Sequence, residues 1–412
     1  MKQAPSVTPD AAAATGRPRL WTRSFTLLCA VTVLCYSSHQ LVSVVLPLFI
    51  QGLGGSPVIA GLVFTSFSVT SFILRPLIGH LIDTWSVRGV LITGTAILGS
   101  LGASFMVPSL WVAFIANAVR GVGWGAFSTG HTTGVALTAP VSRRAEASGY
   151  SSVATTTASA FAPALGLWLL GNTGKFSVVF ALAGAAGLAA TVAAVMIPHI
   201  GGVGTTFRRA LTFKREGLSL EAFIERPVLL ASLLLVCITM TQPVTFAFVP
   251  VHAKAVGVEN ISLYFVATGV TSILARILLG RIVDRGNRGI WMAAGYSAMM
   301  AAFAIFIMAD RIEMFIAAGF LNAIGHSLGQ PALSAFAMDR AAPGRMGKAM
   351  ATFSMAYRVG EGVGAPLAGA LIVAFGYPAM YVGAMTYAAL GLALTVLNWR
   401  TVGKPMPRHA PA

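Results

Sequence analysis

Charge is what this sequence has least of. Only 10% of its 412 residues are Asp, Glu, Lys or Arg, against roughly a quarter in soluble domains. A soluble chain of this length would be covered in ionised side chains, so a protein wetted over its whole surface is excluded. Cysteine is almost missing too. Cys29, Cys35 and Cys237 are an odd number without ligand spacing, which gives neither a disulfide framework nor a zinc site. They read as small buried side chains. No Walker-type phosphate loop occurs, which removes ATP as the energy source. No cluster of His or carboxylates with metal spacing and no nucleophile paired with a base is present, so neither an enzyme nor a bound metal or cofactor is expected.

What the chain has instead is long uncharged stretches. Residues 25–50, 90–119, 176–197 and 290–309 contain no Asp, Glu, Lys or Arg, and each reaches the roughly 20 residues needed to cross a bilayer. Helices are the expected form, because backbone polar groups in lipid must be satisfied within the segment. The short alternating segments of a β-barrel are absent. The reading is an all-α membrane protein with twelve transmembrane helices, at 24–49, 58–81, 88–107, 110–136, 148–170 and 176–197, then 228–251, 261–283, 290–309, 313–337, 348–374 and 379–398. Residues 1–22 read as a disordered cytoplasmic tail with no apolar core, not a cleavable signal peptide. Residues 23–198 and 227–399 read as six-helix bundles, 199–226 as a cytoplasmic linker and 400–412 as a cytoplasmic tail.

The net charge of +16 invites a nucleic-acid partner, but its placement argues for a membrane. On this segmentation 21 of the 28 Lys and Arg fall in the tails and alternate loops. Lys175, Lys254 and Arg311 fall in the opposite loops, and Arg75, Arg120, Arg276 and Arg358 lie inside helices. That asymmetry is the positive-inside pattern, with both termini cytoplasmic. The bilayer, not nucleic acid, is the expected partner.

The two halves repeat. Arg75-x3-Gly79-x3-Asp83 recurs as Arg276-x3-Gly280-x3-Asp284, displaced by 201 residues, and Ala162-Pro163-x2-Gly166 recurs as Ala365-Pro366-x2-Gly369, displaced by 203. With six helices between copies the repeats run parallel in the membrane. Such repeats set a binding site near the midplane between them and let one half rock against the other. Pro163, Gly166, Pro366 and Gly369 are expected at helix-packing positions.

These motifs resemble those of the major facilitator superfamily over nearly the whole chain. The signature after helix 2 reads Gly79-His80-Leu81-Ile82-Asp83-Thr84-Trp85-Ser86-Val87-Arg88, and its fuller copy Gly280-Arg281-Ile282-Val283-Asp284-Arg285-Gly286-Asn287-Arg288. A carboxylate there can accept bonds from a neighbouring helix N-terminus and pair with an Arg, and the glycine admits a close helix. Arg75, Gly79, Asp83, Arg88, Arg276, Gly280, Asp284, Arg285 and Arg288 are therefore expected to form a conformational latch. In helix 4, Gly121-Val122-Gly123-Trp124-Gly125 resembles a second family motif. The Arg usual in proton-coupled members is replaced by Asn117, with Arg120 beside the first glycine. Helix 5 keeps Pro163 and Gly166 of an antiporter motif but has Ala162 and Leu167 where Gly is usual. Phe248-Val249-Pro250-Val251-His252 and Met350-Ala351-Thr352-Phe353 are similar to a branch of bacterial exporters of sugars, drugs and siderophore-like metallophores. That branch often carries a carboxylate after the tyrosine at Tyr357, where this chain has Arg358, with Glu361 one turn on.

Ionisable groups within the membrane usually face a cavity or a partner. Glu361 is the one acid deep in a helix, and Arg358, three residues earlier, can share its face. Two readings are open: Glu361 carries a coupling proton, or the two form a static pair. Arg120 attracts either an anionic substrate or a structural carboxylate. His39, His131 and His326 lie in helices that the resemblance places around the cavity, where each either relays protons or satisfies a hydrogen bond. Asn322, His326 and Gln330 recur every four residues along one face, as do Tyr36, Gln40 and Ser43 at helical spacing. Asn117, Trp124 and His131 recur every two turns, and Gln242 and Phe246 continue the pattern in helix 7.

The expected substrate-binding set is Tyr36, Gln40, Arg120, Trp124, His131, Gln242, Phe246, Asn322, His326 and Gln330. The expected proton-coupling set is Glu361, Arg358 and His39. The resemblance implies a secondary transporter of the bacterial inner membrane that exports a drug, sugar or siderophore-like molecule by proton antiport, and a monomer is expected. Proton-coupled import of an organic anion or sugar is the alternative, and a non-transporting receptor the third reading.

Overall fold

A computed structural model describes residues 20–140, 143–198, 200, 225–285, 287–342 and 345–403. Most of the expected linker, and residues 1–19 and 404–412 of the expected tails, lie outside the described residues. Leu20, expected within the N-terminal tail, is buried against Phe25, Val135, Ala139 and Ala147.

The first bundle contains α1 (Arg23–Gly52), α2 (Pro57–Ile73), α3 (Arg75–Thr84), α4 (Val87–Ser100), α5 (Leu110–Thr138), α6 (Arg144–Thr173) and α7 (Phe176–Val195). The second contains α8 (Leu229–Thr239), α9 (Val249–Ala255), α10 (Ser262–Arg285), α11 (Arg288–Ile307), α12 (Ile312–Asp339), α13 (Met346–Phe375) and α14 (Tyr377–Leu397). Among the described residues eleven helices are long and apolar enough to cross a membrane, or twelve with α2 and α3 counted as one bent span. Local chemistry starts several of them. The hydroxyls of Thr22, Ser56 and Ser86 and the Asn287 side chain each accept a bond from an otherwise unpaired backbone N–H in the following turn. At the end of α6, Gly174 takes the left-handed conformation that glycine adopts without a Cβ clash.

Two spans depart from the continuous helices expected. The second breaks at Leu74, with α2 and α3 inclined by 41°. Pro76 follows in the first turn of α3, where its missing N–H costs no helical bond. The seventh contains a π-helical turn, Val244–Phe248, directly after Pro243. A proline interrupts the regular bond ladder, and a wider turn is one way the chain recovers.

Within the first bundle α1 packs on α6 and α7, α4 on α5 and α7, and α2 on α5; within the second α11 packs on α12 and α14, and α8 on α13. Large apolar side chains such as Trp111, Trp168, Phe375 and Leu397 stand exposed on the outside, as a lipid-facing skin requires. The bundles meet chiefly along two seams, α2 against α13 and α6 against α10, and α1 also touches the Val244–Phe248 turn and α9. The tightest approaches lie toward the end of the molecule away from the chain termini. A Cβ on Gly61 would stand 2.6 Å from the Ala365 oxygen and the Pro366 Cα, and one on Gly369 would stand 2.7 Å from the Pro57 carbonyl carbon. Only glycine allows backbones this close. Thr65 Oγ1 donates to the Gly362 oxygen at 2.7 Å on the same seam. Pro366 and Gly369 therefore sit in the contact between bundles, whereas Gly166 packs inside the first bundle against Leu41, Val44 and Val179. Pro163 lies within the long α6 helix.

Candidate functional site

Between the bundles lies a cavity of about 510 Å³. The first bundle contributes Tyr36, His39, Gln40 and Ser43 from α1, Phe67 and Ser68 from α2, Arg75 from α3, Trp124 and Ser128 from α5, and Thr155, Thr156 and Ser159 from α6. The second contributes Gln242 and Phe246, Thr268, Ser272 and Arg276 from α10, Asn322, His326 and Gln330 from α12, and Tyr357, Arg358 and Glu361 from α13. The four-residue spacing on α12 and the helical spacing on α1 thus lie along the wall of one gap.

Two expected members stand elsewhere. Arg120 is 1% exposed and lies outside the cavity lining, with Nη1 donating to Asn117 Oδ1 at 2.9 Å. His131 also lies outside the lining; its Nε2 is 3.2 Å from Ser151 Oγ and its ring stacks on Phe127. The two-turn repeat on α5 reaches the cavity only at Trp124. Seven residues fall about 20° short of two full turns, so successive members rotate off a common line, and Asn117 and His131 find partners inside the bundle. Sequence reasoning missed Thr155, Thr156, Ser159, Thr268 and Ser272. Hydroxyls of this kind bond back to their own helix, as Thr155 does to the Ser152 oxygen and Thr268 to the Tyr264 oxygen, so alone they give no sign of a wet face.

The centre of the cavity is an aromatic and ionic cluster built by both bundles. Arg358 Nη1 donates to Glu361 Oε2 at 2.5 Å. Its guanidinium also lies 5.9 Å from the ring centres of Phe67 and Trp124 and 5.1 Å from that of Tyr357, within cation–π range. Phe67 and Trp124 belong to the opposite bundle, so the cation of α13 rests on rings across the gap. His39 stacks on Phe67 at 4.9 Å and leans on Trp124 at 4.3 Å, and Tyr36 meets Trp124 edge-on at 4.8 Å. Tyr357 Oη donates to Gln242 Oε1 at 2.6 Å.

Charge on the wall is unbalanced. Arg75, Arg276 and Arg358 line it, and Glu361 is the one acid among the described lining residues. Several buried polar atoms there have no partner: Nε of Arg75 and Arg358, Nδ1 of His39, Nε2 of His326, Oδ1 of Asn322 and Nε1 of Trp124. A donor-rich, net-positive wall of this kind suits an anionic, oxygen-rich ligand. Among the described residues no group of three His, Cys, Asp or Glu is disposed to hold a metal ion.

The expected latch is only partly visible. Arg75 crosses the gap, donating from Nη1 to Ser354 Oγ at 2.6 Å. Arg88 and Arg288 make bonds within their own bundles. Arg88 Nη2 donates to the Val195 oxygen at 2.5 Å, within the first bundle. Arg288 pairs with Asp339 and donates to the Ala335 oxygen at 2.9 Å, within the second. Each therefore ties neighbouring helix ends inside its own bundle. A Cβ on Gly79 would meet nothing within 4 Å, so no close helix uses that glycine. Asp83 makes no ion pair among the described residues. Gly280, Asp284 and Arg285 fall on the helical backbone of α10, and their side chains lie outside the described residues.

Comparison with known proteins converges on one fold. The family model described as the Major Facilitator Superfamily matches residues 28–312 and 260–411. The staphylopine export protein of Staphylococcus aureus (strain Mu50 / ATCC 700699) is 20% identical over 307 residues, covering 71% of this chain and 72% of that protein. Among solved structures, the D-xylose-proton symporter superposes with a TM-score of 0.74 at 15% identity, over 93% of this chain and 99% of that one. A bacterial homologue of the human lysosomal transporter Spinster, in an inward-facing and unoccupied conformation, gives 0.73 at 14% identity, over 96% and 100%.

Proposed function

The chain belongs to the Major Facilitator Superfamily, a multi-pass membrane transporter of a small molecule and not an enzyme, and from that premise we propose that it exports an anionic, oxygen-rich metabolite by proton antiport. The observation that carries this reading is the cavity wall, where three arginines face one carboxylate between the bundles. The relative named as a staphylopine exporter supports the outward direction and a metal-chelating class of substrate. The proposed location is the bacterial inner membrane, as a monomer with both termini cytoplasmic, on the charge asymmetry of the loops.

In the proposed cycle, substrate enters from the side of the chain termini, because the glycine seam closes the opposite end. Its acidic groups are taken by Arg75, Arg276 and Arg358, while the amides of Gln242, Asn322 and Gln330 and the hydroxyls of α6 and α10 contact its neutral oxygens. Arg358 is shared between Glu361 and the substrate. Ionised Glu361 accepts from donor groups of the substrate beside Arg358, and a proton on Glu361 removes that acceptor and displaces the substrate. Loss of that proton restores the acceptor, so substrate and proton bind in alternation. Rocking of the bundles exchanges the open end, so substrate leaves on one side and the proton on the other.

The test is transport in proteoliposomes with the membrane potential clamped and a panel of citrate, a carboxylate-rich chelator and a neutral sugar as probes. Accumulation of an anionic probe on the acid side supports antiport. Movement down the proton gradient, with the protons, would instead indicate symport, and binding without flux a receptor.

A further inference from the structure

Arg120 is the largest fully buried side chain among the described residues, and it lies outside the cavity lining. It sits on α5 one turn before Trp124. Its guanidinium carbon lies 5.6 Å from the Phe105 ring centre, and Nη1 donates to Asn117 Oδ1 at 2.9 Å. The amide is fixed in that orientation, because Asn117 Nδ2 donates to the Val63 oxygen at 2.8 Å. Nε and Nη2 are buried and meet no acceptor among the described residues. No ion pair among those residues includes Arg120.

This arrangement is chemically unbalanced. A guanidinium stays protonated in any protein environment, and a buried charge is ordinarily paired as well as hydrogen-bonded. One neutral amide and one ring face leave both the charge and two guanidinium nitrogens unmet. A single small anion answers both deficits, since one oxygen or halide can accept from adjacent guanidinium nitrogens. Unmet polar atoms also occur one turn further along α5 and on the ring beside it. Trp124 Nε1 has no partner, nor does Nδ1 of His39, which leans on Trp124 at 4.3 Å. Both side chains line the cavity.

We propose that Arg120 is the receptor of a second, interior anion site in the first bundle, taking one small monovalent anion, either a halide or a single carboxylate, that passes His39 and Trp124. The site is separate from the cavity in which the substrate is proposed to bind, and it stands whichever direction transport runs.

The experiment uses the full chain in lipid nanodiscs, with chloride replacing bulky gluconate at constant ionic strength. Chloride should raise the unfolding temperature along a saturating curve, as a ligand of the folded state does. Arg120→Gln should abolish that rise, and Arg120→Lys should keep it with weaker apparent affinity. Bromide, which quenches tryptophan, should give a saturable quench that Trp124→Phe removes and Arg358→Gln keeps, which separates this site from the cavity, and this arm needs no Arg120 variant to fold. Acetate in place of chloride separates the sources. Saturation with acetate alone assigns the site to a carboxylate, and saturation with chloride assigns it to a halide. A salt response that is linear for every anion, or that saturates identically in Arg120→Gln, overturns the proposal.

Discussion

Glu361→Gln removes the one acid found on the described cavity wall while keeping the side chain's size. In the structure Glu361 accepts a bond from Arg358 at 2.5 Å, and Arg358 is also held by the rings of Phe67, Trp124 and Tyr357. A glutamine oxygen accepts the same bond and the rings are untouched, so the variant is expected to fold and insert. What it loses is the ability to take and release a proton. If one carboxylate serves each cycle, one proton is exchanged, and one pH unit across the membrane supplies about 1.4 kcal/mol, or about tenfold accumulation. Proteoliposomes that are acid inside, with the potential clamped, should therefore concentrate an anionic substrate about tenfold per pH unit, and the variant should fall to a ratio of about one. Exchange of labelled for unlabelled substrate without a gradient should persist, because it needs only the rocking of the bundles. Tenfold accumulation by the variant would refute the reasoning and move the proton to His39 or His326. Loss of exchange along with accumulation would also refute it, by showing that the ion pair holds α13 in place and does nothing else.

Two further substitutions address the seam and the charge of the wall. Gly61→Val adds atoms where a Cβ alone would stand 2.6 Å from the Ala365 oxygen, so the end away from the termini should no longer close; a cysteine at Ser43 should then become accessible to a membrane-impermeant thiol reagent from that side, and unchanged labelling counts against the seam as a gate. Arg75→Ala removes both a cavity charge and the bond to Ser354. Loss of a charged hydrogen bond costs about 1.5–3 kcal/mol, which predicts a rise of roughly 10- to 150-fold in the dissociation constant of an anionic substrate in equilibrium binding. Ser354→Ala, which keeps the charge, should change it far less, and equal effects would show that Arg75 acts only as a strut.

The membrane spans were legible because lipid enforces them. Uncharged runs such as 90–119 and 176–197 have no alternative in water. The breaks at Leu74 and Pro243 were not legible, although Pro76 and Pro243 stand in the sequence. Neighbouring helices can re-satisfy the freed backbone groups in a bundle, so a proline alone does not announce a bend. The cavity faces of α1 and α12 could be read because amides and imidazoles at four-residue spacing have no use for lipid. The α5 face misled, since Asn117 and His131 are equally polar but turn to Val63 and Ser151 within the bundle. The motif around Asp83 was visible too, yet Asp83 makes no ion pair among the described residues, and spacing along one chain does not say which group a carboxylate meets.

The sequence repeat suggests a symmetrical machine, and the residues at the cavity argue otherwise. The rings that meet Arg358 across the gap, Phe67 and Trp124, come from the first bundle, while the carboxylate that holds it, Glu361, comes from its own helix in the second. Rocking that separates the bundles must draw the guanidinium off those rings, at about 0.5–2 kcal/mol for each cation–π contact. Protonating Glu361 weakens the other partner of the same guanidinium. One side chain thus responds both to the proton and to the separation of the bundles. Had duplication left each bundle with the same rings and the same pair, the two closures would balance and a proton would favour neither. Coupling on this view resides in what the two copies no longer share: Arg75 with its bond across the gap, Arg276 on the wall at the matching position, and Arg358 resting on the rings of the opposite bundle.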